Sequence, residues 1–377
     1  MNRSAMRRLA APLAVLCGLS SAVGLASAPG HASEVTPTFH RIDVDAVQGA
    51  AFTATGEVFP GERNIITAGY GTLVDGVPSG GGTLQVYRPG ENLLHWQKVT
   101  VFGSDADIIF PNMPTITDIN GDGLNDLMVP SGYFFDTNPA NPGGAKMRSG
   151  ITWWENRGLD DSGEALGFTR HDVLTGQGPA YHGVEVVDLD GDGIRDIVTT
   201  AEAGKVADNQ LDDTIRLEYL RGVGEGSFSA PVTLAEGYGG SQPVVSDVDG
   251  DGRLDIVSAQ YFGLTYTEGD RASFMWFRQS GDAAAGLTAA NFTRNTIATF
   301  AQAGFGFQIR PVKGFREPAK ISWIGTNHQS RCFVQRVVLP GLASLELEGF
   351  NAPEMVMEFL PGPDVTKPWT VKNLSVP

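Results

Sequence analysis

Three stretches of this chain share one nine-residue acidic pattern: DINGDGLND at 118–126, DLDGDGIRD at 188–196 and DVDGDGRLD at 247–255. Each runs into an apolar, largely β-branched segment, DLMVPS, DIVTT or DIVSA. This repetition constrains the fold more than any other feature, because a loop that recurs in register implies that the unit around it recurs too. An Asp-Gly pair is by itself a good hairpin turn. That explains one copy, but not three that keep acids at the same positions.

The spacing has a chemical reading. In the copy at 188, Asp188, Asp190, Asp192 and Asp196 hold positions 1, 3, 5 and 9. Alternate side chains of a tightly wound loop converge, and Ca²⁺ takes roughly 6–8 oxygens, so the carbonyl of Ile194 at position 7 is a natural further ligand. The other copies keep the register: Asp118, Asn120, Asp122, Leu124 (carbonyl) and Asp126, then Asp247, Asp249, Asp251, Arg253 (carbonyl) and Asp255. An EF-hand is excluded, since it needs a bidentate Glu at position 12 and flanking helices. Position 12 here is Val129, Thr199 or Ser258, within strand-like sequence. Dockerin loops recur at much closer spacing. Three structural calcium sites are expected. A catalytic ion is the lesser reading, because the pattern spends its ligands on protein.

The segments around the loops repeat as well. Second strands are expected at 64–71, 126–133, 196–203, 255–262 and 320–327, third strands at 83–90, 151–158, 215–222, 273–281 and 355–362, and fourth strands at 96–102, 168–174, 229–235, 292–298 and 369–375. Five units of four short strands spell an all-β fold, a β-propeller of five four-stranded blades with calcium loops between the first and second strands of blades two to four. A stacked solenoid would need shorter and more uniform units. With the loop so placed, the chain resembles the FG-GAP/VCBS family of propeller repeats, known from integrin α-subunits and secreted bacterial proteins. WWENRG at 153–158 looks like the aromatic third strand of VCBS repeats. The resemblance implies three bound ions rather than five. Unit one has a diluted loop from Asp43 and Asp45 to Arg63, and unit five has PVKGFREPAK, whose Lys313, Arg316 and Lys320 replace acids.

The N-terminus reads as a secretory signal: Arg3, Arg7 and Arg8, a short apolar run, then ASAPGHAS, with cleavage expected after Ala32. It is too short and weakly flanked for a membrane span, and Val15 and Leu16 before Cys17 argue against a lipid anchor. A secreted chain, periplasmic or extracellular, is expected, with residues 33–377 forming one propeller. Removing the three arginines takes the net charge from −16 to −19, which disfavours nucleic acid and anionic membrane as partners. Cys332 is then the sole cysteine, so no internal disulfide is possible.

Fold alone does not give function. Strand alternation puts the face opposite the acidic loops at the starts of first strands and ends of second strands, around the channel mouth. Tyr70, Tyr133, Tyr181, His182, Glu202, Gln242, Tyr261, Gln308, Arg310 and His328 are the candidate ligand residues there, with Asn112 and Asn327 nearby and the insertion 132–150 as a possible overhang. Aromatic faces beside amides, a Glu and an Arg suit a sugar ring. Trp153, Trp154, Trp276 and Trp323 are expected in the core between blades, and His171 and His95 on the surface. No nucleophile elbow, HExxH motif or Cys/His cluster appears. The expected function is a lectin- or adhesin-like module for carbohydrate or a surface protein partner. The alternative is a polysaccharide lyase or sugar dehydratase, with Tyr181 or His182 as base and Arg310 and Gln308 stabilising an enolate.

Overall fold

The computed structural model describes residues 41–46, 50–74, 77–78, 81–92, 94–132, 135–136, 149–176, 179–207, 210–260, 272–283, 286–318, 320–327 and 355–375. Short β-branched and aromatic runs, broken by Gly- and Asp-rich turns, form twenty blade strands in five sheets. Blade one contains β1 (Ala50–Gly56), β2 (Asn64–Gly69), β3 (Thr83–Pro89) and β4 (Trp96–Phe102). Blade two contains β5 (Thr115–Thr117), β6 (Asp126–Ser131), β7 (Gly150–Asn156) and β8 (Phe168–Thr175). Blade three contains β9 (Ala180–Val187), β10 (Asp196–Ala207), β11 (Gln210–Leu220) and β12 (Val232–Glu236).

Blade four contains β13 (Val244–Ser246), β14 (Asp255–Ala259), β15 (Ala272–Gln279) and β16 (Phe292–Thr299). Blade five contains β17 (Gly306–Lys313), β18 (Ile321–Asn327), β19 (Val356–Leu360) and β20 (Thr370–Asn373). Within each blade the four strands pair antiparallel in chain order. The fold is therefore a five-bladed β-propeller, as the repeat predicts. Strand boundaries follow the expected segments closely, except that β10 and β11 run on to Ala207 and back from Gln210 as a long hairpin.

The core lies in the seams between blades. Second and third strands are buried on both faces, and alternate residues serve different neighbours. Trp154, Leu127 and Val129 pack against Ile66, Leu84 and Val86 of blade one, whereas Trp153, Met128 and Ile151 pack against Tyr181, Val184 and Ile197 of blade three. Equivalent apolar clusters join blade three to four, around Tyr219 and Phe277, and blade four to five, around Trp276, Phe274, Phe359 and Trp323. All four candidate core tryptophans are buried in this way.

The first strands surround the axis and are tied to one another by side chains. Asn112 Nδ2 donates to the Tyr181 carbonyl at 2.8 Å, and Ser241 Oγ to the Phe307 carbonyl. Close approach also demands a missing side chain: a Cβ on Gly183 would lie 2.7 Å from Gln242 Cα.

Candidate metal loops and central channel

The three acidic loops span the turns β5–β6, β9–β10 and β13–β14 and fold alike. The first-position acid organises each turn. Asp118 accepts the N–H of Gly121 (2.7 Å) and of Gly123 (3.0 Å), Asp188 those of Gly191 (2.8 Å) and Gly193 (2.9 Å), and Asp247 those of Gly250 (2.8 Å) and Gly252 (3.0 Å). These six glycines have φ between 77° and 89°, which a side chain would disfavour. The fifth-position acids Asp122, Asp192 and Asp251 accept the N–H of Leu124, Ile194 and Arg253 at 2.8, 2.8 and 3.0 Å.

The ninth-position acids Asp126, Asp196 and Asp255 open the second strands and are fully buried. Each bridges its own loop to the end of the third strand. Asp126 accepts from Ile119 N (3.0 Å) and Asn156 N (2.8 Å), Asp196 from Leu189 N (2.9 Å) and Gly222 N (2.8 Å), and Asp255 from Val248 N (3.0 Å) and Gln279 N (2.9 Å). Burial pushes the carboxyls of Asp126 and Asp255 up to about 6 and raises that of Asp196, because desolvation outweighs these hydrogen bonds. Carboxylate oxygens of Asp188, Asp190 and Asp196 lie within 4.8 Å of one another, as do those of Asp247, Asp249 and Asp255. Converging oxygens on a glycine-turned loop fit a hard divalent cation.

Blades one and five solve the same turn without acids at every position. In blade one Asn64 takes the ninth place, its Oδ1 accepting Val58 N (2.9 Å) and Phe59 N (3.1 Å). In blade five Arg316 pairs with the buried Glu358 of β19.

On the axis, the first strands of four blades and the residues leading into β13 border a cavity of about 380 Å³, reached by Thr53 and Thr55, Thr115, Gly183 and Glu185, Gln242 and Arg310. Arg310 Nη1 meets Glu185 Oε1 at 2.7 Å, and Gln308 Nε2 donates to Gln242 Oε1 at 2.9 Å. The Glu185 carboxyl is pushed up by desolvation and drawn back by Arg310.

The residues expected at the channel mouth are thus divided. Gln242, Gln308 and Arg310 come together in or beside the cavity. Tyr181 does not face it: its ring is 1 % exposed in the cluster between blades two and three, and burial raises its hydroxyl pKa out of the range of a base at neutral pH. His182, 5 % exposed, lies 3.5 Å from Glu202, whose other oxygen accepts Ser241 N at 2.7 Å. Glu202 is fully buried between blades three and four, while the His182 ring meets Phe52 of β1 edge-on, with centroids 6.4 Å apart, so His182 lies where the first strands of blades one and three converge. Asn112 and Asn327 are buried and bonded to backbone. Tyr70 stacks on Phe110 with centroids 5.4 Å apart. Tyr133, Tyr261, His328 and most of the 132–150 insertion lie outside the described residues.

Two side-chain pairings escaped the sequence reading. Glu185 is the counter-charge of Arg310, and the trace was an acid inside the apolar run HGVEVV. His171 lies on the outer strand β8 with its side chain 39 % exposed, as expected of a surface residue, but it also stacks on Trp153 with centroids 4.1 Å apart and bonds Glu155 at 2.9 Å. No helix among the described residues is long and apolar enough to cross a membrane. A family model described as an FG-GAP-like repeat matches residues 118–199 and 206–258. No curated protein matches the chain.

Proposed function

From a chain that carries FG-GAP-like repeats on a five-bladed β-propeller, we propose an exported binding module, stabilised by three calcium ions, that takes a carbohydrate at its axial cavity. The observation that carries this reading is the cavity itself. All five blades contribute to it, and its polar lining of Thr53, Thr55, Thr115 and Gln242 includes one ion pair, Glu185–Arg310, with Gln308 bonded to Gln242 beside it. Planar donors and acceptors fixed in a cleft are what ring hydroxyls need, and a pre-formed pocket of this size accommodates one or two sugar units. Asp118, Asn120, Asp122, Asp126 and their counterparts in blades three and four would hold the ions. There calcium neutralises carboxylates that otherwise repel one another, and so stabilises the folded state.

The lyase or dehydratase reading loses support from the placement of its proposed bases. Tyr181 is buried in the seam between blades two and three, His182 is buried beside Phe52 and Glu202, and neither is among the residues lining the cavity. The deciding experiment incubates residues 33–377 with neutral and uronate polysaccharides in calcium, then follows chain length and co-elution by size exclusion. Intact chains retained by the wild type and released by Arg310→Ala support the binding module. Shortened chains, or retention unaffected by Arg310→Ala, would overturn it.

A further inference from the structure

The arginines of this fold meet acids in two ways. Arg88 forks onto Glu62, with Nε 3.1 and 3.0 Å from its two oxygens. Arg316 grips Glu358 likewise, with Nε 2.6 and 2.7 Å from its oxygens. Both are closed pairs, in which the two carboxylate oxygens are spent on the guanidinium. Arg310 differs. It touches Glu185 with a single nitrogen, Nη1 to Oε1 at 2.7 Å, and its Nη2 stands 3.5 Å from Gln242 Oε1, too long for a good hydrogen bond. A guanidinium carries five N–H groups. Among the described residues no other acceptor bonds those of Arg310, and its side chain is 38 % exposed at the cavity that it lines.

The groups around Arg310 favour a ligand rich in acceptors. Gln308 holds Gln242 by its Oε1 at 2.9 Å, which leaves the Gln242 amide nitrogen as a donor. Thr115 gives its hydroxyl proton to the Val184 carbonyl. Among the described residues lining the cavity, only Glu185 and Arg310 are charged. The other walls meet Glu185 with Thr53 and Thr55 from β1, Thr115 from β5 and Gln242 before β13, and across the sheet it stands opposite Val198 of β10. Met113, Ile116 and Pro243 add an apolar side. Glu185 is under-compensated: desolvation raises its carboxyl above the ordinary range, and the one contact from Arg310 offsets only part of that. Such a carboxylate is readily protonated once a second anion takes its cation.

We propose that the axial cavity is specific for an acidic sugar, a uronate whose carboxylate binds the free N–H groups of Arg310 while Glu185 gives up its contact and takes a proton from solvent. The proposal rests on the carbohydrate-binding reading of the same cavity and adds to it the charge of the ligand. Two ionised carboxylates beside one guanidinium in a desolvated site repel each other, so the ligand and Glu185 share one negative charge. The protonated Glu185 then becomes a hydrogen-bond donor to the ligand. A neutral sugar leaves the Glu185–Arg310 pair in place and bonds only to what that pair does not use. Binding of the acid therefore takes up a proton, and affinity falls as pH rises.

The test is calorimetric titration of the protein in saturating calcium with matched methyl glycosides: glucuronate against glucose, galacturonate against galactose, and mannuronate against mannose. At about pH 6 one acid is expected to bind about tenfold or more tighter than its neutral partner, the worth of a charge-assisted contact. Its affinity is expected to fall toward about pH 8, by up to about tenfold per pH unit, and buffers of different ionisation enthalpy are expected to reveal net proton uptake on the way. Arg310→Gln is expected to abolish the preference for the acid, and Glu185→Gln to keep it while losing the pH dependence. Propionate, a carboxylate without the ring, is expected to bind at least about tenfold more weakly than the sugar acid. Equal binding of acid and neutral members would overturn the proposal and leave the carbohydrate reading in place, whereas no binding by any member would overturn both. A preference without proton uptake, one that survives Arg310→Gln, or parity with propionate would also overturn it.

Discussion

At the scale of residues, the acidic loops were legible because metal ligation and turn geometry both impose fixed spacing on side chains. Asp, Gly and the period between them survive as text. The channel residues were harder to read, and β9 shows why. Its pairing with β10 shifts register between Tyr181 and Val184, a β-bulge that reverses the inside–outside alternation partway along the strand. Taking the start of the first strand as the channel mouth sends both Tyr181 and His182 there, whereas Tyr181 lies in the seam between blades two and three, the His182 ring meets Phe52 of β1, and Glu185, beyond the bulge, lines the cavity. The Glu62–Arg88 pair yields a prediction at this scale. The Arg88 guanidinium holds the Glu62 carboxyl below its ordinary range. A depressed carboxylate stabilises the fold above its unfolded pKa, and that contribution disappears as pH falls through the folded value. The stability difference between wild type and Glu62→Gln, from urea unfolding, is therefore expected to be full at pH 7 and to shrink below about pH 4.3. A constant difference across that range would contradict the pairing.

At the scale of elements, the repeat predicted which strands exist and nearly where they end, since each is bounded by turn residues. It predicted less well what each face meets. The adjacent tryptophans of WWENRG serve opposite seams, Trp153 toward blade three and Trp154 toward blade one, a division that follows from alternation once the blade order is known. The crowding of first strands is invisible in sequence, because a glycine required by a neighbour's backbone resembles one required by a turn. Gly183 tests this. Its added Cβ would meet the Gln242 backbone at 2.7 Å rather than a flexible side-chain tip. Gly183→Ala is expected to cost about 1–3 kcal/mol by overpacking, measured as a lower urea midpoint with an unchanged slope. An unaltered midpoint would mean that the first strands part without strain.

At the scale of the whole molecule, the charge balance and the three loops make one prediction together. Ions bound only by the folded chain raise its melting temperature according to their concentration and affinity. Excess chelator is expected to lower the melt of residues 33–377, and calorimetric titration to give three calcium equivalents for wild type and two for Asp255→Asn. Identical melts with and without chelator would remove calcium from the account of this fold.

The seams between blades are not equivalent. Four apolar clusters join one to two, two to three, three to four and four to five, while among the described residues none joins five back to one. The face of blade one turned from blade two presents Thr67, Gln85, Tyr87 and Thr100, with Tyr87 and Lys98 bonded to Asp45, and blade five turns Ser322 and Glu358 away from its own apolar cluster. β1 and β20, the first and last blade strands, belong to the two blades between which no apolar cluster is found among the described residues. Tension applied at the two ends of the chain is therefore expected to fall where, among the described residues, oil-like cohesion is least. Pulled from its ends in a single-molecule force experiment, the molecule is expected to open as a clasped bracelet does, at its fastening first; a first rupture inside any of the four apolar seams would contradict this.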